Sequence, residues 1–224
     1  INNTYIYKGI NMRKLIVTTF LACIYSFTSY AGVNVGFSGN AGVFVANGQE
    51  THAGATPSAA AGAYKKTGDA YGEVAYGSVF AEVVLRDRLM IGVDYVMDTL
   101  ESETTESRRI DKTTSDTASN VENKVQVDFE DLTTIYAGIM ITENAYVKAG
   151  MVSVDVITNE KLGTGGSYGN TSLDGTALGV GYNKTMDNGL FFRAEGNYMS
   201  FDGASLTSGD MTVKIKNLDG VTGK

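Results

Sequence analysis

Residues 190–198, Leu-Phe-Phe-Arg-Ala-Glu-Gly-Asn-Tyr, alternate between apolar and polar side chains with a period of two. Successive side chains of an extended strand point to opposite faces. The even positions therefore form a largely apolar face, and Arg193, Glu195 and Asn197 lie on the other. This alternation predicts a strand between two different environments. The apolar face meets a protein core in a soluble sandwich, but it meets lipid in a membrane barrel whose charges fill the interior.

The N-terminal part of the chain predicts export. Met12, Arg13 and Lys14 form a basic start, residues 15–25 are mostly apolar, and Ser29-Tyr30-Ala31 offers small residues for cleavage before Gly32. The apolar run has about half the length that a membrane-spanning helix needs. The predicted division of the chain is an upstream extension, a secretory signal peptide and a mature domain at 1–11, 12–31 and 32–224.

The composition of the predicted mature domain argues against several functions. All 25 acidic residues lie in it, together with 15 of the 18 Lys and Arg, so its net charge is about −10. A domain this acidic is a poor partner for nucleic acid. The single cysteine, Cys23, falls in the predicted signal peptide, so we expect no disulfide. No run of 18 apolar residues follows, which excludes a helical membrane protein.

Strand-like alternation recurs along the whole mature domain. The predicted strands lie near 33–45, 70–85, 89–95, 133–141, 145–157, 178–183, 190–198 and 211–216. The alternation of the fifth blurs near Val152, which indicates a bulge. Tight turns at 86–88, 142–144 and 187–189 alternate with long connections at 47–69, 98–124, 158–173 and 202–210. This order predicts an all-β fold, an eight-stranded antiparallel up-and-down transmembrane β-barrel with its short turns at one end. A Greek-key sandwich would scatter its long connections.

Outward apolar faces would leave charges of both signs inside the barrel. The polar and charged side chains predicted there are Glu82, Asp94, Lys148, Asn183, Arg193 and Glu195. An eight-stranded barrel has room only for side chains or one small ligand. We therefore expect a structural network of ion pairs that neutralises buried charge. A narrow conduit lined by Lys148, Arg193 and Glu195 is the alternative.

We expect no catalytic, cofactor or metal site. The only histidine, His52, lies in a predicted loop without a patterned nucleophile and acid around it. The acidic residues between Asp98 and Glu106 lack the fixed glycine spacing of a calcium loop. The glycine-rich stretch 162–172 lacks the Lys-Ser or Lys-Thr that follows a phosphate-binding loop.

Together these features resemble a known family. The signal peptide, the alternating strands, the turn Met186–Gly189 and the Glu-bearing strand Val79–Glu82 are similar to the small outer-membrane β-barrels of the opacity-protein and outer-membrane protein A type. The resemblance covers roughly Val33 to the C-terminus. It implies a Gram-negative outer membrane, contact with outer-membrane lipid and with the assembly machinery, and a structural or surface-interaction role through loops 47–69 and 98–124. Two alternatives stay open: a narrow porin-like channel for small solutes, and a secreted soluble β-sandwich adhesin or virion component.

The sequence departs from this family at two places. The last predicted strand, 211–216, is followed by Asn217–Gly220, which reads as a turn or bulge, so we expect a closing strand that is cut short. An open barrel would leave unpaired strand edges in lipid. The chain also contains no tryptophan. The aromatic belts of such a barrel would therefore come from tyrosines, namely Tyr76, Tyr95, Tyr182 and Tyr198.

Overall fold

The computed structural model describes residues 31–52, 64–112, 118–163, 166–208 and 211–224, and the fold of these residues is all-β. The strands are β1 (Ala31–His52), β2 (Tyr64–Leu85), β3 (Leu89–Val96), β4 (Leu100–Glu101), β5 (Thr105–Lys112), β6 (Ala118–Met140), β7 (Ala145–Leu162), β8 (Thr171–Thr185), β9 (Phe191–Phe201), β10 (Ala204–Ser208) and β11 (Met211–Gly223). Within these ranges, no helix is long and apolar enough to cross a membrane. The predicted extension and signal peptide lie outside the described residues, except for Ala31.

Eight strands form one closed antiparallel ring. The order around it is β1-β2-β3-β6-β7-β8-β9-β11, and β11 returns to β1. The three remaining strands lengthen this ring at one end, where β4 and β5 pair with β6 and β10 pairs with β11. The predicted eight-stranded up-and-down barrel is therefore confirmed, and the β-sandwich alternative is wrong.

Short turns connect the ring at one end, as predicted. Arg86 and Asp87 link β2 to β3 with φ angles of 49° and 56°, and Arg88 N–H donates to the carbonyl of Leu85 at 3.1 Å. Two consecutive positive φ angles fit the right-handed twist of a hairpin. Gly189, with a φ of 84°, supplies the positive φ angle of the turn between β8 and β9.

At the other end, the strands continue into the predicted loops. β1 runs to His52 and β2 begins at Tyr64, so both strands enter the predicted loop 47–69. The predicted loop 98–124 holds β4, β5 and the start of β6, and 202–210 holds β10. These loop boundaries were wrong because neighbouring strands that stay in register satisfy each other's backbone groups even where their side chains are polar.

The closing strand corrects one prediction. Asn217–Gly220 do not form a turn, since Leu218 pairs with Phe201 of β9 and with Ala46 of β1. The β1–β11 ladder shifts register opposite Asn47 and Gly48. β11 pairs with β1 only from Ala41 to His52. Among the described residues, 31–40 of β1 pair with β2 alone.

The inward and outward faces exchange polarity part of the way along the strands. On β8, the outward side chains of Tyr182, Val180 and Leu178 are apolar and exposed, but Thr176 and Asp174 continue the same face as polar residues. The inward side chains change in the opposite sense. On β7 they begin with the polar groups of Tyr146 and Lys148 and continue with Val152, Val154 and Val156, all buried. The strand phase is constant through this exchange.

This exchange explains the blurred alternation of the fifth predicted strand. The expected bulge near Val152 is wrong, because β7 keeps its register with β8 there. The irregularity lies in β6, between Glu130 and Thr133, where Asp131 has a φ of 53°. We call the part with outward apolar residues the lower barrel and the part beyond the exchange the upper barrel.

The predicted aromatic belt is partly wrong. The side chains of Tyr182 and Tyr198 point outward and are about half exposed, and the outward Tyr95 hydroxyl donates to Asp131 at 2.5 Å. Tyr76, however, points inward and is buried. It lies on the inward face of β2 between Val74 and Ser78, where the interior is apolar enough to accept a ring.

Candidate functional site

Glu82 of β2 and Arg193 of β9 lie at the centre of the lower barrel. The Arg193 guanidinium donates to both carboxylate oxygens of Glu82, at 3.0 and 2.5 Å. Asn34 Nδ2 and the Tyr136 hydroxyl each donate to the same carboxylate at 2.9 Å. The Glu82 side chain has no solvent exposure. These hydrogen bonds offset the cost of burying its charge.

Aromatic rings surround the other surfaces of Arg193. Its guanidinium carbon lies 4.6 Å from the ring centroid of Phe80 and 5.4 Å from those of Tyr146 and Phe191. Phe80 and Phe191 contact each other edge to face, with centroids 5.9 Å apart. A guanidinium is weakly hydrated and stacks well on aromatic faces. The lower barrel therefore holds this cation, which is 4% exposed, in a defined position.

Glu195 and Lys148 form a second ion pair beside the first. Lys148 Nζ donates to Glu195 at 2.6 Å, and the Tyr146 hydroxyl donates to the other carboxylate oxygen. Arg193 Nη1 lies 3.8 Å from Glu195, so the two pairs form one network. The side chains of Glu195, Lys148 and Arg193 are 0, 8 and 4% exposed.

A third ion pair lies above this network. Lys224 Nζ donates to Asp94 of β3, and the ammonium lies 4.6 Å from the ring centroid of Phe80. The described interior thus holds three ion pairs. Arg193 joins two of them, and the third lies next to Arg193 across the Phe80 ring. The structure brings together all five charged residues singled out in the sequence, and their charges balance when Lys224 is included.

Glycines make room for the two tyrosines of this network. A Cβ at Gly92 would lie 2.5 Å from the Tyr136 ring, and one at Gly181 would lie 2.3 Å from the Tyr146 ring. Both distances are shorter than real contacts allow. The inward glycines on β3 and β8 are therefore matched to large side chains on their neighbours, and this match sets the positions of the tyrosine hydroxyls.

Side chains fill the interior of the described barrel. A cavity of about 20 Å³ lies between the ion pairs and the upper barrel, lined in part by Tyr76, Asp94, Lys148 and Asn197. This volume is sufficient for about one water molecule. Asn183 also points inward, and its Oδ1 is buried without a hydrogen-bond partner among the described residues. The geometry favours a closed plug over a conduit.

The upper barrel encloses an apolar core directly above the plug. Its buried members are Tyr76, Val96, Leu132, Val152, Val154, Val156, Leu173, Ala177, Met199, Phe201 and Leu218. Phe44 packs against this core from β1, with its ring centroid 6.4 Å from that of Phe201. An inward apolar core with a polar outer face is the arrangement of a barrel surrounded by water.

Exposed charges bridge β5 and β6 in the upper barrel. Lys124 Nζ lies 2.5 Å from Glu106 and 3.3 Å from Glu122, while Arg108 lies 2.9 Å from Glu122. Hydrogen bonding from Lys124 and the charge of Arg108 lower the pKa of Glu122. The same contacts with Glu106 and Glu122 raise the pKa of Lys124. Cross-strand pairs of opposite charge stabilise a hairpin in water.

Sequence reasoning missed four members of the interior network. Asn34, Tyr136, Tyr146 and Lys224 all contact the predicted charges. The strand alternation could have placed two of them inside the barrel, because Tyr146 shares its face with Lys148 and Lys224 continues the inward face of Thr222. The predicted aromatic belt uses four other tyrosines, and the last predicted strand ends at 216, before Lys224.

The other residues considered from sequence lie apart from this network. His52 ends β1 opposite Tyr64 and Met211. Asp98 accepts from Gly77 N–H at 3.3 Å, and Glu106 pairs with Lys124 as described. Among the residues that the structure describes, no group of three or more His, Cys, Asp and Glu could hold a metal ion. Much of the predicted first long loop, from 53 to 63, lies outside the described residues.

The fold and this interior define the class as a small, plugged eight-stranded β-barrel. No family model matches the sequence, and no curated protein matches it. Among solved structures, the chain is similar to Ail, the attachment invasion locus protein of Yersinia pestis. The crystal structure of Ail in complex with the heparin analogue sucrose octasulfate is 12% identical to this chain in sequence. The match covers 83% of this chain and 97% of the Ail chain, with a TM-score of 0.27. A second crystal structure of Ail is 11% identical, with the same coverage and a TM-score of 0.25. Values this low assign neither an activity nor a ligand to this chain.

Proposed function

We propose that this protein is an outer-membrane β-barrel that holds a water-exposed strand extension above the membrane as a surface-interaction platform. The exchange of polarity between the lower and upper barrel carries this proposal. Side chains such as Val180, Leu178 and Met151, 56 to 73% exposed on the lower barrel, would otherwise place a continuous apolar belt in water. Lipid around the lower barrel and water around the upper barrel satisfy both outer faces.

The interior of the lower barrel supports a structural role. Glu82, Arg193, Glu195 and Lys148 are paired with one another, so no net charge is left for an ion pathway to use. Burying unpaired charge is costly, and pairing with additional hydrogen bonds reduces that cost. A filled, neutral interior makes the lower barrel a rigid anchor, and the porin-like alternative receives no support from a cavity of about 20 Å³.

The upper barrel supplies the surface available to an extracellular partner. β1 extends to His52, β2 begins at Tyr64, and β5 pairs with the first part of β6. These strands contain most of the predicted interaction loops 47–69 and 98–124. Recognition residues on a rigid scaffold are typical of surface-exposed connections. We propose that partners bind here, and that the signal peptide at 12–31 and the assembly machinery deliver the chain to the outer membrane.

Protease protection in reconstituted vesicles tests this function. The protein is folded into phosphatidylcholine vesicles, and its heat-modifiable migration on gels is measured before and after protease treatment from outside. We expect a protected fragment that contains the lower barrel and keeps its heat-modifiable shift. Recovery of a folded, monodisperse protein in buffer without detergent or lipid would contradict the proposal.

A further inference from the structure

The upper part of β2 has a free backbone edge. β3 pairs with β2 only from Ser78 to Leu85, and Asp98 occupies the next backbone N–H, that of Gly77. Among the described residues, no strand pairs with Tyr64–Tyr76 on the side away from β1. A row of unpaired N–H and C=O groups of this kind is a template for a further strand.

This edge has only one of the features that normally limit such pairing, namely its charged side chains. Protected edges carry proline, a bulge or charged side chains, lysine above all. The segment Tyr64–Tyr76 contains no proline, and its ladder with β1 has no register shift. Gly68, Ala70 and Gly72 leave the backbone accessible on the inward face, and residues 65–73 are exposed throughout. Lys66 lies on the same inward face, so the edge is open only to a partner strand that accommodates its charges.

The charges along the edge favour one partner. Lys65, Asp69 and Glu73 share the outward face at intervals of four residues. If two copies pair antiparallel about Asp69, Lys65 of each copy lies opposite Glu73 of the other. Parallel pairing in register would instead place each charge opposite the same charge, which is unfavourable. The edge is thus complementary to itself in the antiparallel sense, except for Asp69 at the two-fold axis.

The direction of pairing then decides where the second copy lies. Copies in one membrane are related by a rotation about the membrane normal, which preserves the upward direction of every strand. An antiparallel edge pair requires one strand to point the other way. Only copies in two facing membranes satisfy this requirement. We propose that the β2 edge, residues 65–73, joins two copies of this chain across opposing membranes as a homophilic contact. This inference rests on the proposed membrane-anchored orientation.

Cysteine cross-linking between two vesicle populations tests the contact. The natural thiol is first removed by Cys23→Ser, and single Lys65→Cys and Glu73→Cys variants are reconstituted separately. Under mild oxidation, we expect cross-linked dimers when the two populations are mixed, and none in either population alone. Absence of dimers in the mixture would overturn the inference, as would equal dimer formation within the Lys65→Cys population alone.

A charge exchange provides an independent test by vesicle aggregation. Lys65→Glu and Glu73→Lys should each abolish aggregation, and the double variant should restore it. Asp69→Asn should strengthen aggregation, because it removes the like charges at the two-fold axis. Lys214→Glu, on the exposed face of β11, is the matched control and should have no effect.

The readouts separate this inference from the proposed function. The heat-modifiable gel shift of each variant reports insertion of the lower barrel. If the Lys65→Glu and Glu73→Lys variants insert and their vesicles aggregate as those of the unmodified protein do, the homophilic contact is contradicted and a different partner is indicated. Loss of the gel shift in the unmodified protein would contradict the membrane anchor itself.

Discussion

A lysine at position 180 tests whether the outward belt of the lower barrel meets lipid. Val180 is 62% exposed and lies at the middle of the outward run formed with Leu178 and Tyr182 on β8. Thr176 is four residues further along the same face, about 13 Å away at about 3.3 Å per residue. A lysine on the lipid face costs about 2–4 kcal/mol at the bilayer midplane and about 0–1 kcal/mol near the interface. We therefore expect Val180→Lys to destabilise the protein by about 2–3 kcal/mol.

Equilibrium urea unfolding in phosphatidylcholine vesicles measures this difference, with the heat-modifiable gel shift as the readout. Val180→Lys should lower the folded-to-unfolded ratio by about 30-fold or more, since each 1.4 kcal/mol is a factor of ten. The control, Thr176→Lys, lies on the same strand and face and should change stability by about 0.5 kcal/mol or less. Equal effects of the two substitutions would refute the assignment of the lower belt to lipid.

Three further predictions concern the interior and the upper barrel. Arg193→Met leaves the carboxylate of Glu82 buried without its cation, so urea unfolding should show that the free energy of unfolding falls by about 3–5 kcal/mol. The double variant that also carries Glu82→Met should recover much of this loss. A double variant that is no more stable than the single variant would contradict the ion-pair account. Gly181→Val places a branched side chain against the Tyr146 ring, so melting monitored by the gel shift should occur at a lower temperature, whereas Gly196→Val, with open space around its Cβ position, should be tolerated. The pKa of Glu122 is lowered in the folded state by hydrogen bonding from Lys124. Its contribution to the β5–β6 hairpin should therefore be present above the unfolded pKa of Glu122 and be lost as the pH falls through the folded value. Amide protection factors of this hairpin, corrected for the intrinsic pH dependence of exchange, should fall over that range, and protection that stays constant would argue against the contribution.

Features set within one strand could be predicted from the sequence. The alternation of residues 190–198 correctly placed Phe192 outward and Arg193 and Glu195 inward, because side-chain direction depends only on position along an extended strand. The order of short and long connections predicted the up-and-down topology, because a short turn joins two strands that are neighbours in the sheet. Neither required knowledge of a distant partner.

Features set between strands could not be predicted. Glu82 and Arg193 are 111 residues apart in sequence, and only closure of the ring brings them into contact. Asn217–Gly220 have a composition typical of a turn, yet pairing on both sides keeps them in β11, since tertiary context overrides propensity in strands. The blurred alternation near Val152 predicts a bulge, but it reflects the exchange of polarity between the two faces. The alternation alone does not show which solvent surrounds each face.

A tryptophan scan along β8 tests the central claim most directly, namely that lipid surrounds the lower barrel and water the upper one. The chain contains no tryptophan, so a single introduced indole reports its surroundings without background. The protein is reconstituted in vesicles that contain brominated lipid, with one Trp at Val180, Leu178, Thr176 or Asp174. We predict strong fluorescence quenching at Val180 and Leu178, weaker quenching at Thr176 and none at Asp174. Uniform quenching along the strand, or none at Val180, would contradict the account.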